Sequence, residues 1–126
     1  MKRGLLLFAH GARDPRWAEP FEAVAQRVRL HDPALVVQLA FLEFMAPSLR
    51  EAGKLLVGAG CDRVDVLPLF LGAGGHVRKD LPELLADLRA AHPGTAWHLR
   101  RAIGEVDSVI DAMAACALQL TNEAPP

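Results

Sequence analysis

Three residues in this sequence carry side chains suited to holding a divalent metal ion. They are His10 in Phe8-Ala9-His10-Gly11-Ala12-Arg13, Glu43 in Phe41-Leu42-Glu43-Phe44-Met45, and His76 after Gly72-Ala73-Gly74-Gly75. Two imidazoles and a carboxylate form an N,N,O donor set that suits Fe²⁺, Co²⁺, Ni²⁺ or Zn²⁺ and leaves positions open for an incoming ligand. Taken singly, each has an ordinary reading, since a His after a strand usually serves a loop hydrogen bond and a lone Glu is a solvated charge. The metal reading rests on whether the fold brings the three together.

The elements around them predict that it does. Short apolar runs at 4–9, 36–42, 64–69 and 95–99 alternate with longer amphipathic ones, the pattern of βα units in a parallel sheet covered on both faces. Trp17, Phe21, Val24 and Val28 share one helical face, as do Leu81, Leu84, Leu85 and Leu88. Asp14-Pro15, Pro47-Ser48 and Asp80-x-x-Glu83 have the chemistry of helix starts, and Pro20 is expected to delay or kink the first helix. Leu49, Ala52 and Leu56 belong to a helix closed by Gly58 and Gly60, and a last helix is expected over 106–120. In open parallel sheets the ligand site lies beyond the carboxyl ends of the strands. His10, Glu43 and His76 follow strands one, two and three, so all three are expected on one rim.

Composition narrows the function classes. The chain has 126 residues, 52% of them apolar, which suits one core, read as a single domain over 1–120 with a frayed tail over 121–126. A formal net charge of −1 provides no broad basic field for nucleic acid or an anionic membrane. The apolar run at 5–9 is too short for a signal peptide, and nothing reaches transmembrane length. Cys61 and Cys116 lack metal-ligand spacing and read as small hydrophobes in a reducing cytoplasm. The glycines at 72–75 lack the phosphate-loop spacing and its Lys, which argues against nucleotide binding and an organic cofactor.

Around the three residues, Phe44, Met45 and the run Leu67-Pro68-Leu69-Phe70-Leu71 offer apolar surface, either as core or as walls for a flat macrocycle. His10-Gly11-x-Arg13, Phe41-Leu42-Glu43 with a Pro close behind, and Pro68-Leu69-Phe70-Leu71-x-x-Gly74-x-His76-x-x-x-Asp80-Leu81-Pro82 resemble the sirohydrochlorin cobaltochelatase and ferrochelatase family. The resemblance covers roughly the first ninety residues, and the third stretch carries most of it. It implies a chelatase-like three-layer α/β fold, with a four-stranded parallel sheet flanked by helices on both faces. It implies insertion of a divalent metal, cobalt first with iron or nickel as the other candidates, into sirohydrochlorin or a related tetrapyrrole of cobalamin or siroheme synthesis. His10, Glu43 and His76 would sit at the metal, and Ala12 departs from the Ser expected in the first motif. Long members of the family look like two such units fused, and this chain resembles the small single-unit form.

Metal insertion requires that two inner N–H protons leave the ring while the ion sheds its previous ligands. Neutral imidazoles can do both jobs in turn, and Glu43 either, so ligand and base roles stay open for all three. Ligation needs deprotonated imidazoles, which predicts activity falling steeply below about pH 6. Arg13, Arg16, Arg78 and Lys79 are candidates to pair with the carboxylates of such a substrate or are plain surface charges, with Arg13 the preferred contact, joined by Phe44, Gly74 and Gly75. Asp80 is read as a helix cap, and His31, His92 and His98 as structural. A flat substrate needs two walls where one small rim offers a shelf, so a homodimer pairing rim to rim is expected. The rival readings are a metal-delivery protein without turnover, and a hydrolase or phosphotransferase with His10 as nucleophile. Histidine phosphatases place an Arg directly before that His, and this chain has Ala9.

Overall fold

The computed structural model describes residues 1–72 and 74–125, with His76 described by its backbone alone. Four parallel strands, β1 (Arg3–Ala9), β2 (Val36–Phe41), β3 (Arg63–Pro68) and β4 (Ala96–Leu99), lie in the order β2-β1-β3-β4. The register is continuous: Phe8 pairs with Ala40 on one side and Pro68 on the other. The helices are α1 (Glu19–His31), α2 (Leu49–Gly58), α3 (Gly75–Ala91) and α4 (Asp107–Thr121), with 3₁₀ turns at Pro15–Ala18 and Ile103–Glu105.

Alternation along the strands sends side chains to two cores. Leu6, Phe8, Val64, Val66 and Trp97 face α2 and α3, where Leu49, Ala52, Leu56, Leu81, Leu85 and Leu88 bury. Leu7, Ala9, Val37, Leu39 and Phe41 face α1, with Ala25, Phe21 and Val28. The chain leaving β1 therefore turns to one face, and the chains leaving β2 and β3 turn to the other. The carboxyl end of β1 is a topological switch point, where a crevice opens in such sheets.

The helix starts show local chemistry at work. Asp14 caps the 3₁₀ turn by accepting from the Arg16 backbone N–H at 3.0 Å, and Pro20 falls in the first turn of α1, so the α-helix proper begins only at Glu19. The Arg16 guanidinium and that N–H hold the Asp14 carboxyl below the usual carboxylate range. Val24 lies off the apolar stripe expected of α1 and is exposed, because Ala25 takes the place against the sheet. Ser48 caps α2 in a complete capping box with Glu51. The Ser48 backbone N–H and hydroxyl lower the Glu51 pKa, so this contribution is present at neutral pH and is lost as pH falls through the lowered value. Ser48→Ala is expected to cost about 1 kcal/mol at pH 7 and to flatten part of the acid limb of a urea-denaturation profile.

The start expected at Asp80 is corrected. Helix α3 begins five residues earlier, at Gly75, and runs through Pro82. Val77 packs on the α3 core and extends the stripe of Leu81, Leu85 and Leu88 by a turn, which outweighs the N–H that Pro82 cannot give to the ladder. Asp80 is thus inside the helix and Gly74 is the residue at its cap.

Candidate functional site

The first residues beyond β1 and β2 remain laddered together. The Leu42 N–H donates to the Ala9 carbonyl at 2.9 Å and the Glu43 N–H to the His10 carbonyl at 3.1 Å, so the two chains leave the sheet side by side. This places His10 Nε2 3.2 Å from Glu43 Oε1, each side chain about half exposed, at 49% and 50%. With the carboxylate as acceptor, the ring N–H donates to it. Two ligands each ~2.0–2.1 Å from a shared ion lie ~3.0–3.4 Å apart, so the same spacing suits neighbouring positions on one divalent metal.

Backbone geometry enforces this approach. Gly11 has φ +95°, and a Cβ there would come within 1.9 Å of the Glu43 carbonyl oxygen, so only glycine fits. Beyond Glu43 the chain reverses in a three-residue turn, with Met45 N–H donating to the Glu43 carbonyl at 2.8 Å and Phe44 at φ 64°. A bulky residue in this region is strained, and such strain gathers at binding sites. The turn throws Phe44 outward, 58% exposed, with the Arg13 guanidinium 5.0 Å above its ring.

The imidazole of His10 meets Phe70 edge to face, with centroids 6.2 Å apart, and Phe70 rests on Phe8 at 6.0 Å. Phe70 is thus a buried buttress that orients His10 rather than an open wall, and Met45 belongs to the α1-side core. The exposed apolar surface at this rim comes from Phe44, Leu42 and Leu71. The contact of Phe70 with His10 escapes sequence reasoning, because nothing in the Leu67–Leu71 run marks which side chain turns back to the β1 end.

His76 was expected in the loop after the third strand. It is the second residue of α3, and Gly74 and Gly75 stand open at the helix start, with free space where a Cβ would be. Helix α3 takes up Gly75 and His76 because its Val77 reaches the core. The His76 side chain lies outside the described residues, as does Ala73. Among the described residues no group of three His, Cys, Asp or Glu side chains could hold an ion together, and of the three candidate residues His10 and Glu43 are the two whose side chains are seen to meet. Of the cations, Arg16 pairs with Asp14 at 2.9 Å and Arg78 with Glu105 at 3.4 Å, while Lys79 is exposed on α3. His31 donates to the Arg27 carbonyl at 2.8 Å, and His92 lies against Trp97, both outside the rim.

Residues 4–119 match the family model described as CbiX. A sirohydrochlorin cobaltochelatase of Sulfolobus acidocaldarius is 37% identical over 84 residues, which are 67% of this chain and 67% of that protein. The sirohydrochlorin cobaltochelatase of Methanocaldococcus jannaschii is 32% identical over 70% of this chain, which spans 62% of the relative's length. Among solved structures, a putative cobalamin biosynthesis CbiX protein of Marinobacter aquaeolei VT8 superposes with a TM-score of 0.84 at 31% identity, over 97% of this chain and 99% of that one. The sirohydrochlorin chelatase SirB of Bacillus subtilis subspecies spizizenii, in complex with cobalt, superposes with a TM-score of 0.81 at 25% identity, over 94% of this chain and 51% of its own. With residues 4–119 matched by the family model and 97% of its length superposed on a member of the family, the chain belongs to the CbiX family and has the chelatase α/β fold.

Proposed function

We propose that this chain is a lyase-type metal chelatase that inserts a divalent metal, cobalt first with iron or nickel as the other candidates, into sirohydrochlorin or a related tetrapyrrole. The observation that carries this reading is the His10–Glu43 pair, two half-exposed donors 3.2 Å apart at the switch point of the sheet. The metal is substrate here and must be held loosely. Two protein donors leave most of its coordination sphere to water and to the arriving ring nitrogens. His76, in the first turn of α3, is proposed as the third donor.

The chemistry then requires a proton sink. As the ion moves from protein to ring, the two inner N–H protons must leave the macrocycle. His10 and Glu43 become free to accept them at the moment they release the metal. Phe44 presents an apolar face on which the macrocycle can lie, with Arg13 beside it for a peripheral carboxylate and the open backbone at Gly74 and Gly75 as a further proposed contact. One rim covers one face of a planar substrate, and a second copy rim to rim would cover the other. The unpaired Cys61 and Cys116 favour a reducing compartment, and a cytoplasmic location is proposed on that ground.

The test is turnover. Purified chain mixed with sirohydrochlorin and Co²⁺, Fe²⁺ or Ni²⁺ in turn is expected to accelerate the absorbance change of metal insertion over the protein-free rate, most with Co²⁺. Metal binding with no acceleration for any ion would replace this reading with metal delivery.

A further inference from the structure

Two glycines press on a backbone carbonyl so closely that a Cβ would fall 1.9 Å from its oxygen: Gly11 against Glu43, and Gly104 against Leu71. On Gly104 the same Cβ would also come within 2.5 Å of the Leu71 carbonyl carbon and Cα. Gly11 needs its left-handed φ as well, whereas Gly104 sits in the 3₁₀ turn at Ile103–Glu105, outside that region. What glycine supplies at 104 is therefore space, and the turn lies directly on the backbone of Leu71.

The turn is seated to keep that contact. Ala102 is buried in the core on the α2 and α3 side, and Ile103 packs against the core on the α1 side, so the turn straddles the end of the sheet. The Gly104 N–H donates to the Phe70 carbonyl at 3.0 Å, and the Leu69 N–H donates to the Phe8 carbonyl at 2.7 Å. The chain leaving β3 is thus held by main chain from both sides, by β1 and by the turn after β4. Glu105 then pairs with Arg78 of α3 at 3.4 Å, so one turn grips the chain both before and after Gly74 and His76.

Phe70 sits between those two backbone bonds. Its ring is buried, rests on Phe8 with centroids 6.0 Å apart, and meets the His10 imidazole at 6.2 Å with the ring planes 70° apart. His10 is half exposed and turns its Nε2 to Glu43. A half-exposed imidazole without such a support rotates about its side-chain bonds, and ordering it only at the moment of binding lowers affinity by up to about 10-fold. We infer that Gly104 is a positioning residue for metal insertion: it lets the turn lie on Leu71, the turn fixes Phe70, and Phe70 keeps the His10 imidazole aimed at Glu43 before an ion arrives. The inference rests on His10 being a metal donor, as proposed above, and adds that its aim is set by a turn that follows β4, two strands away from β1.

The experiment compares the full chain with its Gly104→Ala variant, first by NMR of the metal-free protein and then by Co²⁺ titration and turnover. In wild type a cross-peak is expected between the ring protons of His10 and Phe70. In Gly104→Ala that cross-peak is expected to fall at least ~3-fold, the Co²⁺ dissociation constant to rise about 10-fold, and kcat to fall while KM for sirohydrochlorin holds. Gly53→Ala is the control, because its Cβ would meet the Leu88 Cδ2 at 2.6 Å between α2 and α3 and loosen the core away from the rim. It is expected to leave the cross-peak and the Co²⁺ affinity unchanged. Phe70→Leu keeps the apolar bulk, removes the ring, and is expected to reproduce the weaker Co²⁺ binding with Gly104 intact. A folded Gly104→Ala with the wild-type cross-peak or the wild-type Co²⁺ affinity overturns the inference, as does a Gly53→Ala that disturbs His10 as much. If Gly104→Ala does not fold, Ile103→Ala unseats the turn without the clash, and a wild-type cross-peak there overturns it equally. A wild type that binds no Co²⁺ would remove His10 as a donor and the chelatase reading with it, while the metal-free cross-peak still decides whether the turn positions the ring.

Discussion

His10→Ala is expected to lower the rate of metal insertion by at least ~100-fold while leaving the folded chain about as stable as wild type. The separation of the two effects follows from where the side chain sits. His10 is about half exposed, and its described contacts are Glu43 and the edge of Phe70. Truncating it would remove one proposed donor to the metal and one proposed proton acceptor but opens no core cavity. Glu43→Gln divides the remaining ambiguity, because it keeps the shape and removes the charge. If Glu43 is mainly a ligand, equilibrium Co²⁺ binding weakens along with turnover. If it is mainly a base, kcat falls while binding holds.

Gly11→Ala is expected to be among the most damaging single-methyl changes in the molecule. The new Cβ would fall 1.9 Å from the Glu43 carbonyl oxygen, a backbone atom that cannot swing aside, and the residue would have to hold φ +95°. Strain and displacement together are expected to cost about 3 kcal/mol or more in urea denaturation. Because the atom struck belongs to Glu43, the His10–Glu43 register would open as well, and Co²⁺ affinity would fall in whatever fraction stays folded. Gly58→Ala is the control. At the end of α2 an added Cβ meets nothing within 4 Å, and the change is expected to be neutral or stabilising by about 0.5 kcal/mol.

The contrast between these two glycines marks what sequence can and cannot reveal. Strand positions follow from hydrophobic runs, and the observed strands differ from the expected ones by a residue or so at their ends. His10 and Glu43 were expected on one rim from strand order alone, and they meet there. Their 3.2 Å contact was not legible, because it depends on a ladder that continues past the strands and on a positive-φ glycine pressed against a carbonyl. The start of α3 was misread at Asp80 because Pro82 resembles a first-turn proline, whereas Val77 extends the apolar stripe backward and the core decides. Helix α4 was legible as a helix but not as an exposed one. Periodicity tells which residues seek cover, and says nothing of which surface supplies it.

In the proposed reaction the metal passes through the pair at the end of β1. The most direct measurement is imidazole NMR of the histidine-labelled chain on addition of substoichiometric Co²⁺, whose unpaired electrons shift and broaden nearby resonances. His10 is expected to shift and broaden first, while His31, hydrogen-bonded at the end of α1, stays unchanged. Glu43→Gln should weaken the effect on His10. A chain that inserts cobalt into sirohydrochlorin while the His10 resonances stay sharp and unmoved would contradict the account.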